Sequence, residues 1–231
     1  MADAWDGIAA AYSAIADSRR VTVFPFLWKR LRDLNCRRLL DYGGGDGTFL
    51  SLWKAGRVKA ATIFEPSVGL RSIARRNLSD SSISVVGRIV GLKGNNYDAV
   101  VLNAVWMSFG SQGESIRTLG KISALLRANG TLLASVTHPC FRPHRFSTFQ
   151  ADFKQQWYRD SGRRFQVVMG GGKHRVEFTD THWTLEDMSS QLAAARFSIR
   201  RLWEIPDVPV NGSEVGPIPW LILEAVKSTS H

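Results

Sequence analysis

The chain has 231 residues, 44% of them hydrophobic, and a formal net charge of +10. That length suits one domain with a sizeable core, no apolar run nears the roughly 20 residues of a membrane span, and residues 1–6 have neither region of a secretory signal. The basic residues come as scattered pairs such as Arg19-Arg20 and Arg200-Arg201, which argues against a nucleic-acid arm, and Cys36 and Cys140 lack metal or CxxC spacing, so a cytoplasmic, metal-free protein is expected.

Trp5, Ile8, Tyr12 and Ile15 recur at three- and four-residue steps and predict an amphipathic first helix. A second helix is expected after Pro25, with Leu27, Leu31 and Leu34 inward; together these form a helical cap over residues 1–35. Leu39 to Tyr42 reads as a buried strand, Gly43 to Gly47 as a glycine turn, and Thr48 to Ala55 as a helix closed by Gly56. Strands are then expected at Ala60–Glu65, Ile83–Val86, Tyr97–Asn103 and Thr131–Thr137. Helices over about Ser67–Leu78 and Ile116–Leu126 alternate with them, the latter stopped near Gly130. Alternation of this kind predicts a doubly wound, mostly parallel sheet. It breaks over residues 140–183, an aromatic-rich insertion. There Ser147 and Gln150 resemble a capping box, with Phe149, Phe153 and Trp157 on one helical stripe. Residues 164–169 and 173–178 flank a triple glycine as a β-hairpin. Thr184 to Ala195 resumes as a capped helix. Phe197–Trp203 and Trp220–Val226 are joined too closely for a crossover, so they should pair antiparallel and complete a seven-stranded sheet.

A strand, a glycine turn and a helix start make a nucleotide site in such sheets. The phosphate-binding loop needs a Lys that this turn lacks. The dinucleotide pattern GxGxxG fits Gly43 and Gly45 but puts Thr48 in place of its third glycine. Glu65 stands about 20 residues on, where any ribose wants a carboxylate. Asp41 and Asp46 flank the turn and would repel a pyrophosphate, whereas a ligand with an ammonium and no phosphate suits them. That favours S-adenosylmethionine over NAD.

The segments Asp41-Tyr-Gly-Gly-Gly-Asp-Gly47, Glu65-Pro66, Tyr97-Asp-Ala-Val-Val-Leu-Asn103 and Leu126-Arg-Ala-Asn-Gly-Thr-Leu-Leu133 resemble, in order and spacing, the motifs of Rossmann-like S-adenosylmethionine-dependent methyltransferases. The resemblance covers about residues 35–227. Later segments, including His138-Pro-Cys-Phe141 and His182-Trp-Thr-Leu-Glu-Asp187, are similar to the small-molecule branch. The resemblance implies one methyltransferase domain over residues 1–231, with 140–183 as an acceptor-side lid. It implies that Gly43, Gly44 and Gly45 pass under the methionine part of the cofactor and that Glu65 takes the ribose hydroxyls beside Pro66. Arg88 and Ile89 would flank the adenine, and Asn103 and Ala104 would lie near the sulfonium. Asp41 and Tyr12 complete the expected cofactor set. One departure stands out: relatives often carry an acid after the third strand to hold the adenine amine, and Arg88 cannot accept that hydrogen bond.

Methyl transfer from a sulfonium needs alignment above all, and a base only where the acceptor must lose a proton. His138, at the end of the fifth strand, and His182 are the candidates; for each the alternative is a hydrogen bond that holds its turn. His144, His174, Glu177, Asp180 and Glu204 have weaker claims. Trp106, Phe141, Trp157, Tyr158 and Trp183, with Phe146 and Phe178, would line a pocket for a small aromatic or anionic acceptor such as a natural product, or else form the insertion's own core. Two other functions fit the residues less well. An RNA methyltransferase lacks its Asn-Pro-Pro-aromatic run here, since the fourth strand ends Asn103-Ala-Val-Trp106; a cofactor-binding protein without catalysis is the other.

Overall fold

The computed structural model describes residues 2–15, 18–52, 59–78, 83–92, 94, 96–170, 175–207 and 218–228. The amphipathic N-terminal stretch forms two short helices, α1 (Ala2–Asp6) and α2 (Ala9–Ser13), because the chain turns at Gly7 and Ile8. Helix α3 (Val23–Asp33) starts before Pro25, which therefore sits in the first turn, where its missing N–H costs nothing. Strand β1 (Arg38–Tyr42) feeds the glycine turn and α4 (Thr48–Ser51); the rest of the expected helix, with Gly56, lies outside the described residues. Strand β2 (Ala60–Phe64), α5 (Val68–Asn77), β3 (Ile83–Val86) and β4 (Tyr97–Asn103) follow as the sequence predicts. Ser67 caps α5 by accepting from the Leu70 amide at 3.1 Å.

Helix α6 (Gln112–Leu125) passes directly into β5 (Leu126–Thr137). The helix predicted to stop near Gly130 ends at Leu125, and residues 127–130 form a bulge inside the strand: Tyr97 pairs with Leu126, Ala99 with Thr131, and Asn129 takes a φ of 59°. The insertion holds β6 (Phe149–Ala151), β7 (Arg164–Met169) and β8 (Val176–Thr181), an antiparallel sheet in the order β6-β7-β8. The hairpin expectation holds, with the second strand starting at Val176. The helix expected around Phe149–Trp157 does not form. Ser147 gives its amide and hydroxyl to the Asp207 carboxylate, both at 2.7 Å, instead of capping a helix. Phe149 pairs with Met169 across the sheet, and Gln155–Trp157 is a single 3-10 turn.

Helix α7 (Leu185–Ala194) opens on a capping box between Thr184 and Asp187. Strands β9 (Phe197–Ile205) and β10 (Trp220–Lys227) close the main sheet, whose order is β3-β2-β1-β4-β5-β10-β9, with β1 to β5 parallel and β10 antiparallel to both neighbours. Alternate residues of the central strands serve two cores. Leu40, Tyr42, Val100 and Leu102 pack with residues of α6 and α7. Leu39, Ile63, Ala99 and Val101 pack with α3, and that core runs on into the inserted sheet through Phe149, Phe165 and Val167. Among the described residues, two buried carboxylates break the apolar pattern within the strands of the main sheet, Asp41 and Glu224; the second is gripped by Arg30 of α3 through two hydrogen bonds of 2.5 and 2.9 Å. Among the described residues, no helix is long and apolar enough to cross a membrane.

Candidate active site

The strand order reverses between β1 and β4, and the glycine turn rises at that switch point. Gly43, Gly45 and Gly47 have φ values of 73°, 57° and 78°, a region that side chains other than glycine's rarely adopt. Gly44 is required for space: a Cβ there would meet Asp41 Oδ2 at 2.7 Å and Ile63 at 2.8 Å. The turn is tied to the end of β2, since the Gly43 amide donates to Phe64 O at 2.7 Å and the Gly45 amide to Glu65 Oε2 at 2.9 Å. The Ser67 amide donates to Glu65 Oε1 at 2.8 Å. Glu65 is thus buried with its carboxylate aimed by two backbone amides; burial raises its pKa and the amides oppose that rise.

Two chambers meet over this turn. The smaller, about 60 Å³, is lined by Asp41, Gly43, Gly44, Gly45 and Asp46 from below and by Tyr12, Arg19 and Phe24 from the cap. Neither carboxylate oxygen of Asp41 has a hydrogen-bond partner among the described residues. Burial first, then the Glu65 carboxylate, pushes Asp41 up to about 7, against the pull of Arg19. The Arg19 guanidinium is itself buried, donates to the Tyr12 hydroxyl at 2.6 Å and lies over Phe24 and Trp220. The larger chamber, about 290 Å³, shares Tyr12, Gly43, Gly45 and Asn103 with the first. It continues past Glu65 and Pro66 to Tyr42, Phe64, Ala104, Val105, Phe109 and Glu114. Asn103 Oδ1 accepts from Ser135 Oγ at 2.6 Å, and Ala104 holds a φ of 57°, a strained backbone at the mouth of the site.

A groove of about 420 Å³ adjoins the larger chamber through Trp5 and Ser108, which line both. Its other wall is the inserted sheet, with Arg164, Gln166, Glu177, Phe178 and Thr179. Trp5 of α1 packs between Tyr12 and Phe178, with ring centroids 5.2 and 5.1 Å away. Helix α1 is anchored in turn by Asp6, which accepts from the Ser67 hydroxyl at 2.5 Å and the Gly69 amide at 2.8 Å.

Most of the expected cofactor set is therefore brought together: Tyr12, Asp41, the three glycines, Glu65, Pro66, Asn103 and Ala104 all line the chambers. Arg88 and Ile89 line neither; Arg88 is exposed, and Ile89 packs against the core. The expected acceptor residues lie elsewhere. Trp106 and Trp183 are fully buried core residues, Trp106 donating from Nε1 to Ser115 Oγ at 2.8 Å and Gln191 Oε1 at 2.9 Å. Phe141 packs on His138, Trp157 lies under the Arg163 guanidinium, and the Tyr158 carbonyl accepts from His182.

Neither histidine lines a chamber or the groove. His138 Nδ1 accepts from the Cys140 amide at 3.2 Å, which places the proton on Nε2, 3.0 Å from Glu204 Oε1. Both nitrogens are engaged in holding the turn, and desolvation lowers the ring's pKa. His182 is fully buried, its Nε2 is 2.7 Å from the Tyr158 carbonyl, and burial with Arg142 lowers its pKa to about 4. Both rings, expected as catalytic, thus hold hydrogen bonds in their own turns away from the two chambers and the groove. His174 lies outside the described residues. Trp5, Arg19, Ser108 and Glu114 went unforeseen, because only the folding of the cap and of the β4–α6 connection brings them to the crevice.

The family described as a methyltransferase domain matches residues 15–170. Comparison with curated proteins finds no match. Among solved structures, the chain is similar to an S-adenosylmethionine-dependent methyltransferase from Clostridium acetobutylicum, with a TM-score of 0.63 and 12% identity over 99% of this chain and 98% of that one. It is similar to CalS10 with S-adenosylmethionine bound, an amino pentose methyltransferase from Micromonospora echinaspora, at TM-score 0.56 and 20% identity over 89% and 90%. The sugar N-methyltransferase KedS8 from Streptoalloteichus gives TM-score 0.59 and 18% identity over 89% and 87%. The chain belongs to the methyltransferase domain family and has the Rossmann-like fold of S-adenosylmethionine-dependent methyltransferases.

Proposed function

We propose that the chain transfers the methyl group of S-adenosylmethionine to an oxygen, nitrogen or carbon of a small polar acceptor held against the inserted sheet. The observation that carries this reading is the buried, unpartnered carboxylate in the smaller chamber. A buried carboxylate with both oxygens open, Asp41, faces the same 60 Å³ space as a buried guanidinium, Arg19. An ammonium, as in the amino-acid end of the cofactor, supplies the counter-charge that the Asp41 oxygens lack among the described residues.

The other contacts follow from the chambers. Gly43 to Gly45 let that end lie against the backbone. Glu65, already oriented by the Gly45 and Ser67 amides, has lone pairs left for two ribose hydroxyls. Asn103 and Ala104 border the passage between the chambers. When bound, S-adenosylmethionine supplies a methyl group on a sulfonium with a neutral thioether as leaving group. The protein's part is to align and to exclude water, and alignment is worth up to about 7–11 kcal/mol in well-oriented systems.

On the acceptor side, the groove offers hydrogen-bonding groups from Arg164, Gln166, Glu177 and Thr179 opposite the aromatic faces of Trp5 and Phe178. That mixture suits a hydroxylated or amine-bearing ring better than a flat apolar one. The similarity to an amino pentose methyltransferase and a sugar N-methyltransferase supports it. Residues 140–183 then act as the lid, with β7 and β8 as its binding wall and the Glu177 carboxylate, paired with Arg175, facing the groove. Thermal shift with S-adenosylmethionine, its demethylated product and NAD tests the donor, followed by methyl-label transfer into amino sugars and into total RNA. Stabilisation by both sulfur compounds and label in the sugars are expected. A larger shift with NAD, or label confined to RNA, refutes the reading.

A further inference from the structure

We propose that Glu114, at the start of α6, is the residue that recognises the adenine amine and so sets the protein's preference for an adenosyl cofactor. This rests on the donor reading above and assigns the part of the site that the sequence left without an acceptor. The amine at position 6 of adenine donates hydrogen bonds and needs an acceptor. The two residues directly after β3 supply none from their side chains, because Gly87 has no side chain and Arg88 is a donor only. A second guanidinium reinforces that polarity: Arg71 Nη1 donates to the carbonyls of Glu65 and Pro66 at 2.8 and 3.0 Å and lies where a Cβ on Gly87 would be.

Two carboxylates line the larger chamber, Glu65 and Glu114. Glu65 stands next to the glycine turn and is committed to the ribose. Glu114 stands on the wall with Tyr42, Phe64, Val105 and Phe109, an apolar and aromatic surface that suits the face of a purine. Its orientation is fixed from both ends: the Ser111 hydroxyl accepts from the Glu114 amide at 3.2 Å, and Glu114 Oε2 accepts from the Gly110 amide at 2.9 Å. Oε1 remains for the base. Its charge is felt inside the chamber, since the Tyr42 phenol is pushed up to about 12 by burial and, secondarily, by Glu114.

The test uses the full chain and two probes, S-adenosylhomocysteine and its 6-oxo counterpart, S-inosylhomocysteine, measured by calorimetry. The 6-oxo group presents an oxygen to the carboxylate and loses the hydrogen bond. The wild type should prefer the adenosyl compound by at least about tenfold, the scale of a hydrogen bond to a charged group. Glu114→Gln keeps the size and an oxygen for the Gly110 amide while its NH₂ can face the 6-oxo group, so the preference should shrink several-fold or invert. Glu186→Gln, exposed on α7 and outside the chambers and the groove, should leave the ratio unchanged. A ratio that Glu114→Gln does not alter overturns the assignment of Glu114 while sparing the donor site. Failure of the wild type to bind either compound overturns the donor reading and this one together.

Discussion

Replacing Asp41 by Asn should make the ligand-free protein more stable above neutral pH and a worse binder of the cofactor. Asp41 is 1% exposed, both its oxygens lack hydrogen-bond partners among the described residues, and its pKa stands at about 7 against an ordinary 3.8. Because the folded value is the higher one, the folded state holds the proton more tightly than the unfolded chain. Stability is therefore unpenalised below about pH 4 and falls as pH rises through 7, by about 4 kcal/mol in all, an order-of-magnitude figure. Asn carries no such cost. Urea melts of both proteins from pH 5 to 8.5 should show their stabilities diverging with pH, the variant ahead at the alkaline end. Binding of S-adenosylhomocysteine should weaken by about tenfold or more, since an ammonium loses its counter-charge. Wild-type binding near pH 6 should release protons, visible as a heat that depends on the buffer's ionisation enthalpy. Parallel pH profiles together with unchanged affinity would refute the idea that Asp41 is a destabilised carboxylate kept for a cationic ligand.

Glu65→Ala should lower cofactor affinity by about 10- to 100-fold in calorimetry, because it removes the ribose acceptor and frees the Gly45 and Ser67 amides together; an unchanged Kd would exclude the ribose role. His182 has a folded pKa of about 4, below its ordinary 6.5, so its contribution is intact above 6.5 and is lost as pH falls through 4, about 3 kcal/mol in total. His182→Gln should flatten that acid limb in melts followed by tryptophan fluorescence, and an identical limb in both proteins would contradict the burial argument. Arg30→Met should cost up to about 3–5 kcal/mol by leaving the buried Glu224 carboxylate with only Arg200, 3.9 Å away, as a counter-charge. Adding Glu224→Met should recover most of it, and a double variant no more stable than the single one would show that the pair is not what matters.

The lining of the two chambers was legible in the sequence because its signals are local. The turn needs glycines at fixed backbone positions, and Glu65 follows β2 directly, so strand pattern and spacing place both. Acceptor-side residues were not legible, for reasons that lie in tertiary partners. Phe149, Phe153 and Trp157 have helical spacing, yet the cap that would start the helix is claimed by Asp207, which comes 60 residues later. Trp106 reads as a pocket aromatic until Gln191 of α7 arrives to take its indole N–H. His138 and His182 carry the right chemistry in the right region, and only their hydrogen-bond partners show that the rings are held rather than held ready. Arg19 was hidden differently: one of several arginine pairs in a basic chain, it differs from the rest only in being folded under the cap.

Ser67 donates its amide to Glu65 and its hydroxyl to Asp6, so one residue serves both the orientation of the Glu65 carboxylate and the fastening of the first helix. Trimming the first seven residues, or fusing a bulky tag that displaces α1, would remove Asp6 and Trp5 and loosen Glu65 from the side opposite the ligand. Protein handled that way would fold on its intact central sheet and still bind cofactor weakly, and assays of activity are best made with any tag at the other end of the chain.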